Sequence, residues 1–391
     1  MSSSNIHHPS STVSRSRSTV LHIVPSYKPA YIYGGTITAI SILAESQAAL
    51  GHKIQVFTTT ANGKEELPKG STTIDGVQVQ YFPRWTKDHT HFSPALLWKL
   101  FRSIKKYDTV HLHSWWNLVT IPALFICWLR GVRPFFSPHG MLSSYSLGNE
   151  SGGAKGVFHR FFGRFLLSKS ILHATAQQEA EEGLQMIANW KYILVPNIVE
   201  LPERKNYRSE QAASPAFTLI FLSRIHHKKG LELLFEALSQ VAFEFQLRIA
   251  GDGEAEYIQQ LKQLAANLNI AEKIDWVGWI NDEPKYQFLA NADLFALTSH
   301  NENFAMVVIE SLAVGTPVLL SDQVGLSDYV QEKQLGWICP LEVNKIQEYL
   351  QDIFKQKEAL ATIRSKAAEQ IYRDFSAENI ARQYVEAYRS S

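Results

Sequence analysis

The chain has 391 residues, of which 45% are hydrophobic and 19% charged, and its formal net charge at pH 7 is +1. This composition is typical of a globular protein with room for two domains, and it excludes extensive disorder. A net charge near zero excludes a field over the whole surface that would attract nucleic acid, so any anion site must be local. The two cysteines, Cys127 and Cys339, fit neither a disulfide framework nor a zinc motif, which favours a reducing compartment.

Residues 1–18 are rich in serine and lack the apolar core of a signal peptide, so we predict a disordered tail there. The strongest apolar run, Ile121–Leu129, is about half as long as a bilayer-spanning helix requires. We therefore expect a cytoplasmic protein that is at most attached to the inner face of a membrane.

Residues 19–199 alternate between short apolar runs and helical patterns. A buried strand is predicted at Thr19–Tyr27, a helix between Gly35 and Gly51, and a second strand at Lys53–Thr60. Further strands are predicted in the segments VQVQYF, TVHLHS, PFFSPH, ILHATA and KYILVP. Such alternation predicts a parallel sheet that helices cover on both faces.

Residues 200–216 are polar, contain two prolines and show no apolar period, which predicts a linker. From 217 to 375 the alternation of strands and helices starts again, and a last helix lies within 376–391. That helix could pack back onto the first domain. The sequence thus predicts two α/β domains with a cleft between them.

Two glutamates stand eight positions apart in the segment from Ser299 to Ser321. Gly315 and Pro317 end a helix that should cover about 305–314, because glycine and then proline form a common helix stop. Glu302 then lies in the loop before the helix, and Glu310 lies inside it. The start of this helix offers free N–H groups and a positive dipole end, which suit a phosphate.

Positive side chains follow another predicted strand, because Arg224, Lys228 and Lys229 come directly after the segment FTLIFLS. Ligands of open α/β sheets bind at this edge, where Arg can clamp phosphate oxygens and Lys can neutralise a diphosphate. The turns IAGDGE and VGWIND end two further strands. These loops should line one cleft.

These features together resemble the retaining glycosyltransferases of family 4, whose GT-B architecture has two doubly wound, Rossmann-like α/β domains facing across a cleft. The resemblance covers about Thr19 to Tyr388. The matching motifs are Glu-x7-Glu at Glu302 and Glu310, the Arg and Lys-Gly of Arg224 and Lys229-Gly230, the GxGE turn of Gly251, Gly253 and Glu254, the Gly34-Gly35 loop, Gly51 to Ile54, the SPHGM around His139, and VPNIVE.

The resemblance implies a role for each matching residue. Glu310 would bind the ribose, Glu302 the donor sugar, and Arg224 and Lys229 the diphosphate, while His139 faces the sugar. The expected catalytic set is therefore His139, Glu302, Arg224 and Lys229. The expected donor-binding set further includes Gly34, Gly35, Gly251, Gly253, Trp279, Ile280, Asn303, Phe304, Ala305 and Glu310. Trp279 and Ile280 would cradle the base, and the backbone of Phe304 and Ala305 would support the diphosphate.

One departure from the family pattern concerns the phosphate loop. The usual EGFG is ENFA here, so Asn303 and Ala305 replace glycines. These two replacements alter the expected shape of the loop, but they remove no charged group.

The implied reaction moves a sugar, with retention of configuration, from a UDP- or GDP-sugar to a saccharide or lipid-linked acceptor in surface polysaccharide or glycolipid synthesis. No Asp-x-Asp occurs in the chain, which agrees with a metal-free reaction and no cofactor. Two alternatives stay open: an epimerase or phosphorylase on the same fold, and a catalytically silent nucleotide-sugar-binding module.

Several residues also have a structural interpretation. Lys228 and Lys229 could form a solvated turn, and His139 could be a core histidine. His111 and His113 share one face of a strand and could bind a metal, but no third ligand is evident, so we expect no metal site. Acceptor binding by His113, with Trp115 and Trp116 stacking on a sugar, is the expectation we favour.

The segment 156–167 has aromatic residues at helical spacing and basic residues opposite them. A basic amphipathic helix can lie on a membrane that holds a lipid-linked acceptor. A helix that faces the core gives the same pattern, and we favour that interpretation.

Overall fold

The computed structural model describes residues 17–143, 162–209, 216–280 and 282–391, without the side chains of residues 282 and 283. Almost all of the predicted tail and the first half of the predicted helix at 156–167 lie outside these residues. The described chain forms two α/β units, each built around a parallel sheet.

The first unit contains an eight-stranded sheet in the order β10-β9-β8-β7-β1-β2-β6-β5. All its neighbouring strands are parallel except β5, which runs antiparallel to β6. A short hairpin, β3 and β4, lies outside this sheet. The strands are β1 (Thr19–Ile23), β2 (Lys53–Thr59), β3 (Ala61–Asn62), β4 (Glu65–Glu66), β5 (Gly70–Ile74), β6 (Val77–Phe82), β7 (Thr109–His113), β8 (Phe135–Ser137), β9 (Ile171–Ala174) and β10 (Tyr192–Leu194).

Helices connect these strands as the parallel order requires. They are α1 (Gly35–Ala49), α2 (Pro94–Ser103), α3 (Thr120–Arg130), α4 (Arg164–Ser168) and α5 (Gln177–Met186). Strands β1 and β7 are almost wholly buried, and their sequences combine apolar residues with the buried histidines His22, His111 and His113.

The second unit contains a six-stranded parallel sheet in the order β13-β12-β11-β14-β15-β16. Its strands are β11 (Phe217–Leu222), β12 (Phe245–Ala250), β13 (Ile274–Gly278), β14 (Leu294–Leu297), β15 (Val318–Ser321) and β16 (Gly336–Cys339). Its helices are α6 (Leu231–Leu238), α7 (Ala255–Asn267), α8 (Asp282–Ala290), α9 (Met306–Ala313), α10 (Ser327–Lys333), α11 (Val343–Lys355) and α12 (Lys357–Asp374). Among the described residues, no helix has the length and apolarity to cross a membrane.

The sequence pattern missed the edge strands β5 and β16. Residues 70–74 are polar, and most are exposed, so no alternation marks them as a strand. Their backbone pairs with β6 across the tight turn at Asp75 and Gly76, and only this pairing defines the strand.

The last helix, α13 (Ala377–Ser390), leaves the second unit and packs on the first. It lies against α1, and the ring of Tyr388 contacts Phe135 of β8 at 4.8 Å between centroids. Tyr384 is only 2% exposed and contacts the ring of His173 at 4.8 Å. This helix therefore ties the two units together.

We expect Tyr384→Ala to lower the free energy of unfolding by about 3 kcal/mol, because it leaves a cavity where a buried aromatic ring was. Urea denaturation followed by tryptophan fluorescence measures the change. Tyr192→Ala is the matched control, since Tyr192 is 42% exposed. A loss below about 1 kcal/mol would show that α13 is not docked in this way.

Candidate functional site

The loops that follow β11 and β14 meet at the carboxyl edge of the second sheet. His300 donates from its backbone N–H to the Lys228 carbonyl at 2.8 Å. Gly230 has φ +63°, and a Cβ there would lie 2.1 Å from the Thr298 carbonyl oxygen. Only glycine allows this approach, so Gly230 brings the Lys229 loop against the Glu302 loop.

Each of the two glutamates forms an ion pair. Lys229 pairs with Glu302, and both side chains are mostly buried, at 12% and 20% exposure. Lys285 of α8 pairs with Glu310 of α9 at 2.7 Å between Nζ and Oε1. Glu302 and Glu310 thus lie before and inside α9 as predicted, and each carries a lysine partner.

Two more cations lie next to the first pair. Arg224 is exposed at the mouth of the same loop. Lys228 lies within the electrostatic range of Glu302 and also of Glu182 from the first unit. Burial lowers the pKa of Lys228 more than the nearby carboxylates raise it. Lys228 therefore faces the cleft, unlike the lysine of a solvated turn.

The glycines of the turn after β12 allow this turn to contact the neighbouring loop closely. A Cβ on Gly251 would lie 1.9 Å from the Ser223 carbonyl oxygen, and one on Gly253 would lie 2.0 Å from that of Ile225. The backbone N–H of Gly251 donates to the Gly278 carbonyl at 2.8 Å. The next residue, Trp279, is 65% exposed at the edge of the cleft.

Asn303 and Ala305 stand where the family's phosphate loop has glycines, and the structure shows what each of them contacts or adopts. Ala305 has φ 60° and ψ 68°, a left-handed conformation that favours glycine, so the backbone keeps the shape that the family glycine would allow. Phe304 is 3% exposed and packs against Phe375. Asn303 donates from Nδ2 to Thr175 Oγ1 of the first unit at 2.9 Å. The ENFA segment therefore starts α9 and also contacts the opposite domain.

The starts of two helices face each other across the cleft. Gly34 precedes α1 with φ 87°, and a Cβ on Gly35 would lie 2.2 Å from Met306 Cε at the start of α9. The N-terminus of each helix carries unpaired N–H groups and partial positive charge. Groups of this kind suit an anion.

Glu179 of α5 supports the loop of the first unit that faces Asn303. Its carboxylate accepts hydrogen bonds from the Gly140 N–H at 2.8 Å and from the Thr175 N–H and hydroxyl at 2.8 and 3.0 Å. Burial raises the pKa of Glu179. This residue fixes the His139-Gly140 turn.

His139 lies at the carboxyl end of β8 and has φ 53°, a left-handed conformation. Its Nε2 lies 3.2 Å from Nδ1 of His113. Burial lowers the pKa of His139 to about 3, so its ring is neutral at physiological pH. Strained backbone of this kind clusters at functional sites.

The predicted acceptor residues need correction. Trp115 is 1% exposed and packs at 5.7 Å on Phe136, so its ring cannot stack on a sugar. His113 is also 1% exposed, and both ring nitrogens contact other histidines, His22 and His139. Of the three, only Trp116 is partly exposed. The signal that misled us was position after a strand, which does not reveal burial.

Buried histidines line the first unit behind this site. His22, His111 and His113 place ring nitrogens within 4.8 Å of one another, so His22 supplies the third ring that the sequence did not suggest. Every ring nitrogen of the three already contacts a protein group. Hydrogen bonds thus involve every ring nitrogen of the cluster.

Sequence reasoning missed several site residues. Lys285, Glu179 and Thr175 carry no motif, because their importance comes from partners far along the chain. A usable signal existed for Thr175 and Glu179, since Thr175 lies near the carboxyl end of a predicted strand and Glu179 shortly after it.

Two family descriptions match the chain. Residues 33–202 match "Glycosyltransferase Family 4", and residues 203–370 match "Glycosyl transferases group 1".

Similar proteins include an uncharacterized glycosyltransferase of Methanocaldococcus jannaschii, 24% identical over 92% of this chain and 95% of that protein. A D-inositol 3-phosphate glycosyltransferase of Pseudarthrobacter chlorophenolicus is also 24% identical, over 81% of each. Among solved structures, a sucrose-phosphate synthase from Thermosynechococcus elongatus has a TM-score of 0.72 at 19% identity, covering 96% of this chain and 99% of its own. Anabaena HepE, solved with UDP-glucose, has a TM-score of 0.68 at 20% identity, over 96% of this chain and 100% of that one. These similarities establish the GT-B fold.

We expect a fall in pH to lower the free energy of unfolding of the first unit. Burial lowers the pKa of His22 from 6.5 to about 4. A base with a lowered folded-state pKa contributes stability above its unfolded pKa and loses it as pH falls. For His22 alone the loss amounts to about 3 kcal/mol between pH 6.5 and 4.

Thermal unfolding from pH 7.5 to 4.5 measures this effect. The melting temperature should fall steadily below pH 6.5, and His22→Gln should flatten the slope because the ring that gains a proton is gone. A melting temperature that stays constant to pH 4.5 would contradict the assignment.

Proposed function

The chain belongs to the group 1 glycosyltransferases of family 4, and we propose that it transfers a sugar, with retention of configuration, from a nucleotide-diphosphate donor. The observation that carries the proposal is the pairing of Lys229 with Glu302 beside the start of α9. A donor diphosphate would take the place of the carboxylate next to Lys229. Glu302 is then free to accept hydrogen bonds from the sugar.

A nucleotide-sugar donor fits the surrounding groups. Arg224 and Lys229 supply positive charge for the diphosphate, and the facing starts of α1 and α9 supply N–H donors. Glu310 would offer carboxylate oxygens to the ribose hydroxyls, and Trp279 and Ile280 would cradle the base. The solved complexes of HepE with UDP and with UDP-glucose support the choice of a UDP-sugar.

The proposed reaction breaks the bond between the anomeric carbon and the diphosphate oxygen. The bonding electrons go to the diphosphate, and the cations and helix start stabilise the growing negative charge most strongly in the transition state. The acceptor hydroxyl attacks from the face that the diphosphate leaves, and a phosphate oxygen takes its proton. The cationic side chains and the helix start would stabilise the leaving diphosphate as a metal ion does in other enzymes, so we propose a reaction that needs no metal.

The alternative functions differ in what they release. Incubation with UDP-, GDP- and ADP-sugars, with and without saccharide acceptors, distinguishes them. A transferase gives a glycosylated acceptor and free nucleoside diphosphate. An epimerase instead gives a new nucleotide sugar, a phosphorylase consumes phosphate, and a silent binding module gives no product although the ligand raises its melting temperature.

We expect Lys229→Met to lower kcat/KM at least about 100-fold, because it removes a cation that stabilises the leaving group. Steady-state assays with the donor found above measure the effect, and the melting temperature without ligand checks the fold. Lys273→Met is the matched control, since Lys273 pairs with Glu244 at 3.2 Å on the surface of the same unit. Full activity of Lys229→Met would exclude the proposed diphosphate site.

The acceptor is proposed to be a saccharide or a lipid-linked saccharide used in surface polysaccharide or glycolipid synthesis at the cytoplasmic side of a membrane. An exposed aromatic patch on the first unit supports membrane contact. It consists of Phe125, Trp128 and Leu129 of α3 with Phe162 and Phe165 around α4, each at least 39% exposed. Phe125 lies 6.2 Å from Phe162, and Trp128 lies 5.5 Å from Phe165, between ring centroids.

Basic side chains border this aromatic patch. Lys169 lies 5.4 Å from the ring centroid of Phe165, and Arg164 is exposed beside it. Such a border attracts anionic lipid while the rings enter the headgroup region. Within the predicted helix at 156–167, Leu166 is buried and Phe162 and Phe165 are exposed, so the part of this helix that the structure describes contributes to both core and surface.

We expect the protein to bind vesicles containing anionic phospholipid more tightly than neutral vesicles. The double variant Trp128→Ser with Phe165→Ser should bind at least about tenfold more weakly, because it removes two rings worth about 1.5–3 kcal/mol each when buried. Vesicle flotation measures binding. Trp85→Ser is the control, since Trp85 is 75% exposed and lies outside the patch; equal loss in both variants would contradict the assignment.

A further inference from the structure

Two series of hydrogen bonds in the first unit approach each other at Gln47, and the second of them ends at His139. The first series starts at the Val195 carbonyl, which can only accept a hydrogen bond. Nε2 of His173 lies 2.8 Å from that oxygen, so this nitrogen carries the proton and Nδ1 is an acceptor. Ser137 Oγ lies 2.6 Å from His173 Nδ1 and must donate to it.

The same reasoning assigns the proton on the next ring, that of His111. The Ser137 hydroxyl has used its proton, so it accepts from His111 Nε2 at 2.6 Å. A neutral imidazole has one donor and one acceptor nitrogen, which leaves His111 Nδ1 as the acceptor. Tyr388 Oη lies 2.7 Å from that nitrogen and therefore donates to it.

The Gln47 amide lies between Tyr388 and His22. Its Nε2 makes no hydrogen bond within the described chain, but it lies close enough to the Tyr388 hydroxyl to interact with it electrostatically. Its Oε1 lies 2.8 Å from Nε2 of His22. An amide oxygen only accepts, so His22 carries its proton on Nε2 and Nδ1 is an acceptor.

The last two links reach the candidate site. His113 Nε2 donates to His22 Nδ1 at 3.0 Å, which leaves His113 Nδ1 as an acceptor. His139 Nε2 then donates to it at 3.2 Å. Among the described residues, no hydrogen bond to His139 Nδ1 occurs.

We propose that these two series of hydrogen bonds hold His139 in the tautomer with its proton on Nε2, so that Nδ1 meets the ligand only as an acceptor. A sugar hydroxyl is the chemical group that fits, because it can donate to an imidazole lone pair. Gln47, His22, His113 and Tyr388 are then positioning residues. The meaning of the tautomer for catalysis rests on the proposed function, but the tautomer itself does not.

Which ring nitrogens of His22, His113 and His139 carry protons depends on Gln47 and Tyr388 together. If the amide turned around, its NH₂ group would donate to His22, and every proton from His22 to His139 would move to the other nitrogen. Tyr388 favours the observed orientation of the amide, because its hydroxyl donates to His111 and only an oxygen lone pair is left to attract the Gln47 NH₂ group. Since Tyr388 belongs to α13, docking of the last helix sets the chemistry of a ring at the cleft.

Long-range ¹H–¹⁵N spectra of the protein labelled at the histidine ring nitrogens test the tautomer directly. His139→Gln identifies the His139 signals by their loss. We expect a protonated Nε2 and an unprotonated Nδ1 that do not change between pH 7.5 and 6. A protonated Nδ1, or shifts that average or titrate over this range, would overturn the proposal.

Three variants test the path. Gln47→Met removes the acceptor for His22, and Tyr388→Phe removes the group that favours the observed orientation of the amide, so both should give a mixture of His139 tautomers. Gln47→Glu keeps an acceptor in place and should retain the Nε2 proton. If Gln47→Met and Tyr388→Phe both keep the native spectrum of His139, the path is wrong.

Kinetics separates this inference from the proposed function. Gln47→Met should lower kcat/KM for the nucleotide sugar about five- to tenfold, as expected for one weakened hydrogen bond, with most of the loss restored in Gln47→Glu. Affinity for UDP, which lacks the sugar, should change less than about twofold. Equal losses for UDP and UDP-sugar would overturn the assignment of Nδ1 to the sugar. If the native protein shows the expected tautomer but transfers no sugar, the proposed function fails and the tautomer stands.

Discussion

The two parallel sheets turn their carboxyl edges toward each other, and the site depends on this geometry. Every loop that carries a candidate site residue follows the carboxyl end of a strand, from the Gly34 turn after β1 to the Glu302 segment after β14. Parallel strands joined by helices necessarily end at one edge. Residues far apart in sequence thereby face a common cleft, and charge can concentrate there in a protein whose net charge is only +1.

The cleft is held closed by contacts that are polar and small. Asn303 bonds to Thr175 across it, and the turn at Gly140 packs against the Asn303 side chain. Ala305 and His139, on opposite sides, both have left-handed backbone. Backbone of this kind persists only where the surrounding structure holds it in place.

The interior of the first unit is unusually polar behind the cleft. His22, His111, His113 and His173 are fully or almost fully buried, and burial lowers the pKa of each. Neutral rings satisfy one another through donor and acceptor nitrogens, so the layer needs no charge. The cost is sensitivity to acid. The benefit is a rigid, directional support for His139, completed by a tyrosine from the last helix.

The sequence by itself determined the two α/β units, the start of α9 between Glu302 and Glu310, and the cationic loop at Lys229, because periodicity, glycine stops and charge are local properties. Tertiary structure alone decided what each side chain contacts. It buried Trp115 and His113, which sequence position had assigned to the acceptor. It paired Lys285 with Glu310 and joined Tyr388 to His111 across 277 positions. No local pattern contains such partners, because burial and contact depend on chain segments that meet only after folding.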